Sequence, residues 1–237
     1  MTCAVRAAGA GGVLLVLALT ATSAVQSGCR RDTPSATVSA TADGGAAPAH
    51  APVKIVALGD SLTAGYGLAT EQAYPSLLEA QLRSAGYNAT VVNAGVSADT
   101  SAGGLRRVDW ALDADVRIMI VALGGNDALR GLSVDELRQN LASIIERAQA
   151  KGVAVILAGM EAPPNLGPAY TRAFRQVYRD LADRYRVPLL PFLLDGVAGR
   201  FDLNQADGIH PNAAGAAIVA QNLWPFVEKA VRTAVVP

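Results

Sequence analysis

From Val53 onward the chain alternates short apolar runs with longer amphipathic stretches. Val53 to Leu58 (VKIVAL), Val116 to Leu123 (VRIMIVAL) and Val153 to Ala158 (VAVILA) are continuous apolar runs. They read as strands buried on both faces, with Ala89 to Val92 and Val187 to Phe192 as two further strands. Between them lie helical patterns. Tyr74 to Ala85 has Pro75 in its first turn and Gly86 at its end. Leu105 to Leu112 is the next. Ser133 and Glu136 form a capping box that opens a helix running to about Lys151, where Gly152 stops it. Ala169 to Tyr185 follows Gly167-Pro168. Asn212 to Leu223 is the last helix, and Pro225 is expected to kink or restart it. Strands alternating with helices predict an α/β domain with a parallel sheet and right-handed crossovers. In such sheets ligands bind beyond the carboxyl ends of the strands.

The first 52 residues lack this alternation. Met1 to Gly28 has a basic Arg6, an apolar stretch densest from Val13 to Leu19, and then small residues, which is the pattern of a secretory signal peptide. Cys29 follows Ser27-Gly28 directly, so it is the expected lipidation site of an exported lipoprotein, with membrane attachment through that lipid. Ordinary cleavage leaving a spare thiol is the alternative. Residues 29–53 are rich in Thr, Ser, Ala, Pro and Gly and read as a flexible tether. The folded domain is expected at 54–233.

Composition narrows the chemistry. The 237 residues carry 20 Lys+Arg and 20 Asp+Glu, so no strong charge favours a nucleic-acid partner. Cys3, Cys29 and His50 all precede the expected folded part, so it lacks the four Cys and His ligands of a structural zinc site. His50 falls in the tether, which leaves His210 as the one imidazole available to a folded site.

The residues after the strands carry the candidate chemistry. Gly59-Asp60-Ser61-Leu62 places a serine on a tight turn after the first strand. It is not a G-x-S-x-G elbow, because Thr63 stands where the second glycine would be. Asn93-Ala94-Gly95 follows the second strand, and Gly95 lets the backbone approach a ligand and present its N–H. Gly124-Gly125-Asn126-Asp127 follows the third and leaves Asn126 free to aim an amide into a cleft. Asp207 and His210 are three apart on one turn, close enough for the carboxylate to fix the imidazole tautomer. Together these are the parts of an acyl-transfer site. Ser61 is the nucleophile, His210 the general base and then acid, and Asp207 the orienting carboxylate. The oxyanion hole is expected from the Ser61 and Gly95 N–H groups and the Asn126 amide.

Those four blocks resemble the SGNH (GDSL) hydrolase superfamily, with Ser61, Gly95, Asn126 and His210 as its four letters. The likeness runs from about Lys54 to Lys229 and is nearest to the arylesterase, acyl-CoA thioesterase and lysophospholipase branch. The resemblance implies a three-layer α/β/α, flavodoxin-like fold with a five-stranded parallel sheet. It implies no metal and no organic cofactor, and hydrolysis of short-to-medium acyl esters or thioesters. It also implies substrate contacts from Gly125–Arg130 and the Met160–Pro168 loop, at Asp60, Leu62, Asp127, Ala128, Leu129, Ala162, Pro163 and Ile209. The folded part, 54–233, leaves no room for a long lid, so an open, shallow cleft is expected. A carbohydrate or peptidoglycan O-acetylesterase of the same superfamily is the nearest alternative reading. A non-catalytic binding module is the alternative of another class.

Overall fold

The computed structural model describes residues 52–113 and 115–235. The signal-peptide reading of 1–28, Cys29, His50 and nearly all of the tether lie outside the described residues. The described chain forms five parallel strands: β1 (Val53–Gly59), β2 (Ala89–Gly95), β3 (Val116–Ala122), β4 (Ala154–Ala158) and β5 (Leu189–Leu190). Their order in the sheet is β2-β1-β3-β4-β5. The helices are α1 (Ser61–Ala64), α2 (Tyr74–Ser84), α3 (Ser101–Ala111), α4 (Gly125–Leu129), α5 (Val134–Ala150), α6 (Pro168–Tyr185) and α7 (Ala213–Val235).

One helical layer holds α2 packed on α7, and the other holds α5 between α3 and α6. This is the three-layer arrangement expected. β1 and β3 are apolar almost throughout because both faces are covered. β2 is the edge strand and alternates instead, with Val91 and Ala94 buried and Thr90, Val92 and Asn93 exposed. The chain leaves β1 toward β2 and later leaves β3 toward β4, so the connections diverge between β1 and β3. That divergence opens a crevice at their carboxyl ends.

Five elements differ from the sequence expectation, each for a local reason. β5 shrinks to two residues because Pro188 and Pro191, which bear no N–H, flank it. α3 begins four residues early: Thr100 caps it by accepting from the Gly103 N–H at 3.3 Å, and Gly103-Gly104 masks the first turn in the sequence. The final helix runs through Pro225 to Val235. Pro225 lies on the exposed face, as does Gln221 one turn earlier, so the carbonyl that loses its partner meets water. Finally, α1 and α4 are single helical turns built on stretches that read as plain turns.

Candidate active site

The carboxyl end of β1 is tightly packed. Asp60 caps α1, its Oδ1 accepting from the Leu62 N–H at 3.0 Å. Gly65, at φ +75°, ends the helix four residues later. Thr63 is fully buried beneath the turn and shares a 2.8 Å hydrogen bond with the Tyr74 hydroxyl. Gly59 permits this fold-back, because a Cβ there would lie 1.9 Å from Thr63 Oγ1. Ser61 is thereby held at the first position of α1, where helix geometry gives its N–H no intrahelical acceptor.

The opposing wall comes from the loop before α7. Asp207 Oδ1 accepts from the Ile209 N–H at 2.9 Å and the His210 N–H at 3.0 Å. Its Oδ2 lies 2.7 Å from His210 Nδ1. These hydrogen bonds, the His210 N–H first, hold the Asp207 carboxyl down at about 2. His210 Nε2 is 2.9 Å from Ser61 Oγ. Asn212 then caps α7 by accepting from the Ala214 and Gly215 N–H groups. Gln205 ties the walls together: its Nε2 donates to the Tyr66 carbonyl at 2.6 Å and the Pro211 carbonyl at 3.0 Å.

Asn126, on α4, closes the third side. Its Nδ2 donates to the Asp99 carbonyl at 2.9 Å and makes a long 3.4 Å contact with Asp60 Oδ2. Above these groups opens a mostly apolar cleft of about 500 Å³. Ser61, Asn126 and His210 line it, as do Asp60, Leu62, Leu129, Ala162, Pro163 and Ile209 from the expected set.

Comparison with known proteins points to one family. Residues 57–218 match the GDSL-like lipase/acylhydrolase family. Esterase TesA of Pseudomonas aeruginosa is 45% identical over 175 residues, which cover 73% of this chain and 87% of that protein. An Escherichia coli protein named thioesterase 1/protease 1/lysophospholipase L1 is 38% identical over 178 residues, 73% of this chain and 84% of its own. A crystal structure of TesA superimposes with a TM-score of 0.72 at 42% identity, covering 75% of this chain and 99% of that one.

The chain belongs to the GDSL-like hydrolase family.

Several expected site residues of this hydrolase sit elsewhere. Asp127 and Ala128 do not line the cleft. Asp127 is 3% exposed and faces inward, accepting from the Ser101 N–H at 2.8 Å and from the Ser101 hydroxyl, so it braces α4 against α3. Ala128 is buried in the core. Gly95 is also absent from the cleft wall, and its N–H donates to Asn93 Oδ1 at 2.9 Å. Its lack of a side chain serves packing, because a Cβ would lie 2.2 Å from the Ala64 nitrogen. The residues that the β2–α3 loop brings to the cleft are Ser97 and Ala98. Ala98 adopts φ +65°, one of two described non-glycine residues in the left-handed region, and its carbonyl accepts from Arg130 at 2.9 Å. Its N–H makes no hydrogen bond with the described residues. No sequence signal marks an alanine for that conformation, and the nearby glycine is the residue that pattern reasoning selects instead.

Met160 lines the cleft from the loop expected to contact substrate, whereas sequence reasoning misses Phe192, Leu194 and the ring of Tyr66, which lies 4.7 Å from the His210 ring. These residues are scattered along the chain, so no local pattern could gather them. Asp60 is the other electrostatic feature. Burial pushes its carboxyl up to about 6, against the Leu62 N–H and the nearby His210, which both favour the charged form.

Proposed function

We propose that this hydrolase is a serine esterase that cleaves short-to-medium acyl esters through an acyl-enzyme on Ser61. The observation that carries the reading is the hydrogen-bonded chain from Ser61 Oγ through His210 to Asp207 on the floor of an apolar cleft. In that chain His210 Nε2 takes the Ser61 proton as Oγ attacks the ester carbonyl. Asp207 keeps the proton on Nδ1 and stabilises the imidazolium. The oxyanion meets the Ser61 N–H, the unpartnered Ala98 N–H and one N–H of Asn126, each worth about 3 kcal/mol in the transition state. The Asn126 contact to Asp60 is long, so that N–H turns to the oxyanion while the Asp99 carbonyl keeps the other. His210 returns its proton to the departing alkoxide, and water repeats the sequence to release the acid.

The cleft volume supports chains beyond two carbons. Sites of roughly 300–1,000 Å³ hold drug-sized ligands, and an acetyl group alone would leave most of this one empty. A binding module has no need of the Ser61–His210–Asp207 chain. Hydrolysis of p-nitrophenyl acetate, butyrate and octanoate tests the reading. Wild type is expected to prefer butyrate or octanoate, and Ser61→Ala and His210→Ala to lose about 10⁴-fold or more. Retained activity in both variants, or no fluorophosphonate labelling of Ser61, sinks it. Octanoyl-CoA compared with the octanoate ester separates thioester from ester preference.

The same proposal places the chain outside the cytoplasm, as an envelope lipoprotein held through Cys29 or otherwise secreted. Its support is the apolar stretch followed by small residues and then Cys29. Mass spectrometry of the mature N-terminus tests it: a diacylated Cys29 is expected, and an unmodified chain beginning at Met1 overturns export.

A further inference from the structure

One side chain outside the cleft touches two of the three segments that supply the oxyanion donors, and it holds the residue whose carbonyl supports the third. Arg107, on α3, is 18% exposed. Its Nε donates to Asp99 Oδ2 at 2.7 Å, its Nη1 to the Ala94 carbonyl at 2.6 Å and its Nη2 to the Gly59 carbonyl at 2.7 Å. Gly59 ends β1 and precedes the Asp60-Ser61 turn. Ala94 lies at the end of β2, where Gly59 pairs with Gly95 and the Val96 N–H donates to the Gly59 carbonyl. Asp99 follows Ala98, and its own carbonyl holds the Asn126 amide at 2.9 Å. The guanidinium therefore reaches the chain next to Ser61, next to the Ala98 loop and next to the support of Asn126.

We propose that Arg107 is a positioning residue that sets the Ser61, Ala98 and Asn126 donors in register for the oxyanion. This rests on the esterase reading above. The planar fork is suited to that role, since three donors in fixed directions span three acceptors, which a single ammonium cannot reproduce. The partner is built for it. Asp99 is 12% exposed, and its carboxylate lies over the first turn of α3, where a Cβ on Gly103 would be 1.5 Å from Asp99 Oδ1. Gly103 thus makes room for Asp99, Asp99 fixes the guanidinium, and the guanidinium fixes two strand ends. The loop between β2 and α3 carries Ala98 in its left-handed conformation, a backbone state that persists only when its surroundings impose it.

The test separates positioning from plain stability. Steady-state kinetics on p-nitrophenyl butyrate are measured for wild type, Arg107→Lys, Arg107→Gln and Asp99→Asn, with folding checked by circular dichroism. Donors aimed at the oxyanion act in the transition state, so kcat is expected to fall about 10²-fold in Arg107→Lys and Arg107→Gln with KM within about twofold. Asp99→Asn keeps its carbonyl for Asn126 and is expected to lose about tenfold in kcat with the same KM pattern. A folded Arg107→Lys with kcat within twofold of wild type overturns the proposal. Should the Arg107 variants fail to fold, Asp99→Asn decides, and an unchanged kcat there overturns it equally. Fluorophosphonate labelling of wild type, absent in Ser61→Ala, is run alongside. Failure of that control counts against the esterase reading rather than against Arg107.

Discussion

Asp60 and Asp207 flank the same Ser61–His210 pair and have opposite electrostatics. Asp60 is 3% exposed, and burial drives its carboxyl up to about 6. Asp207 stands at the surface, where three hydrogen bonds from Ile209 and His210 hold it at about 2. Both aspartates accept backbone N–H groups, so what separates them is how much water each loses and how many donors replace it. The wall that carries Asp60 is packed to the point where Gly59 and Gly95 tolerate no Cβ. The wall that carries Asp207 is an exposed turn organised by its own hydrogen bonds. One side fixes the nucleophile by packing and the other fixes the base by charge.

Substitutions on each wall sharpen or break that contrast. The largest effect is expected from Asp207→Asn, which keeps the shape of the turn but loses the carboxylate that selects the His210 tautomer. Its kcat should drop by about 10⁴-fold, with folding unchanged. Because the wild-type carboxylate stays ionised down to about pH 2, no step in a rate profile at mildly acidic to mildly basic pH should arise from Asp207. An Asp207→Asn enzyme within tenfold of wild type would break the contrast at its functional end.

On the packed wall, Gly95→Ala should destabilise by about 3 kcal/mol through overpacking against Ala64, and lower activity because α1 carries Ser61. Urea unfolding measures the first and ester hydrolysis the second. Asp60→Asn should do the reverse to stability. The folded protein keeps the Asp60 proton up to about pH 6 while the unfolded chain releases it near 4, so stability falls as pH rises through that window. Removing the carboxylate should therefore stabilise the protein by about 3 kcal/mol well above pH 6, with the two unfolding curves converging below about pH 4. A difference that persists in stronger acid would show that burial of the charge is not the cause. The smallest effect belongs to Ala98→Gly. Relief of a left-handed alanine, less the entropy of the added glycine, should raise stability by about 0.5 kcal/mol with kcat within about twofold.

Much of this is legible along the chain because it is local. The strands announce themselves by apolar runs, the Ser133 cap by its spacing to Glu136, and the Asp207–His210 pair by three residues on one turn. The Asp60-Ser61 turn reads as one that exposes a serine, although nothing in four residues announces that the turn is helical. What stays hidden depends on long-range placement. Ala98 reaches the cleft because its loop is tied by Arg107 and Arg130, 9 and 32 positions further along the chain. Asp127 looks like a cleft residue beside Asn126, yet the single turn of α4 points successive side chains in different directions and sends this one to Ser101. Phe192 and Leu194 arrive from the far end of the sheet. No periodicity encodes which loop overhangs which.

The course of α7 has a practical consequence. It starts beside His210 at the carboxyl edge of the sheet and runs back across it. Late in the helix, Glu228 accepts from the hydroxyl of Tyr87, which lies just ahead of β2 at the opposite edge. β1 also enters at that opposite edge, and its seven residues put about 20 Å of strand between Val53 and the cleft. Both ends of the described fold thus emerge on the side away from substrate. Coupling the protein to a bead, a resin or a fused carrier through either end should leave the cleft turned outward and catalysis undiminished.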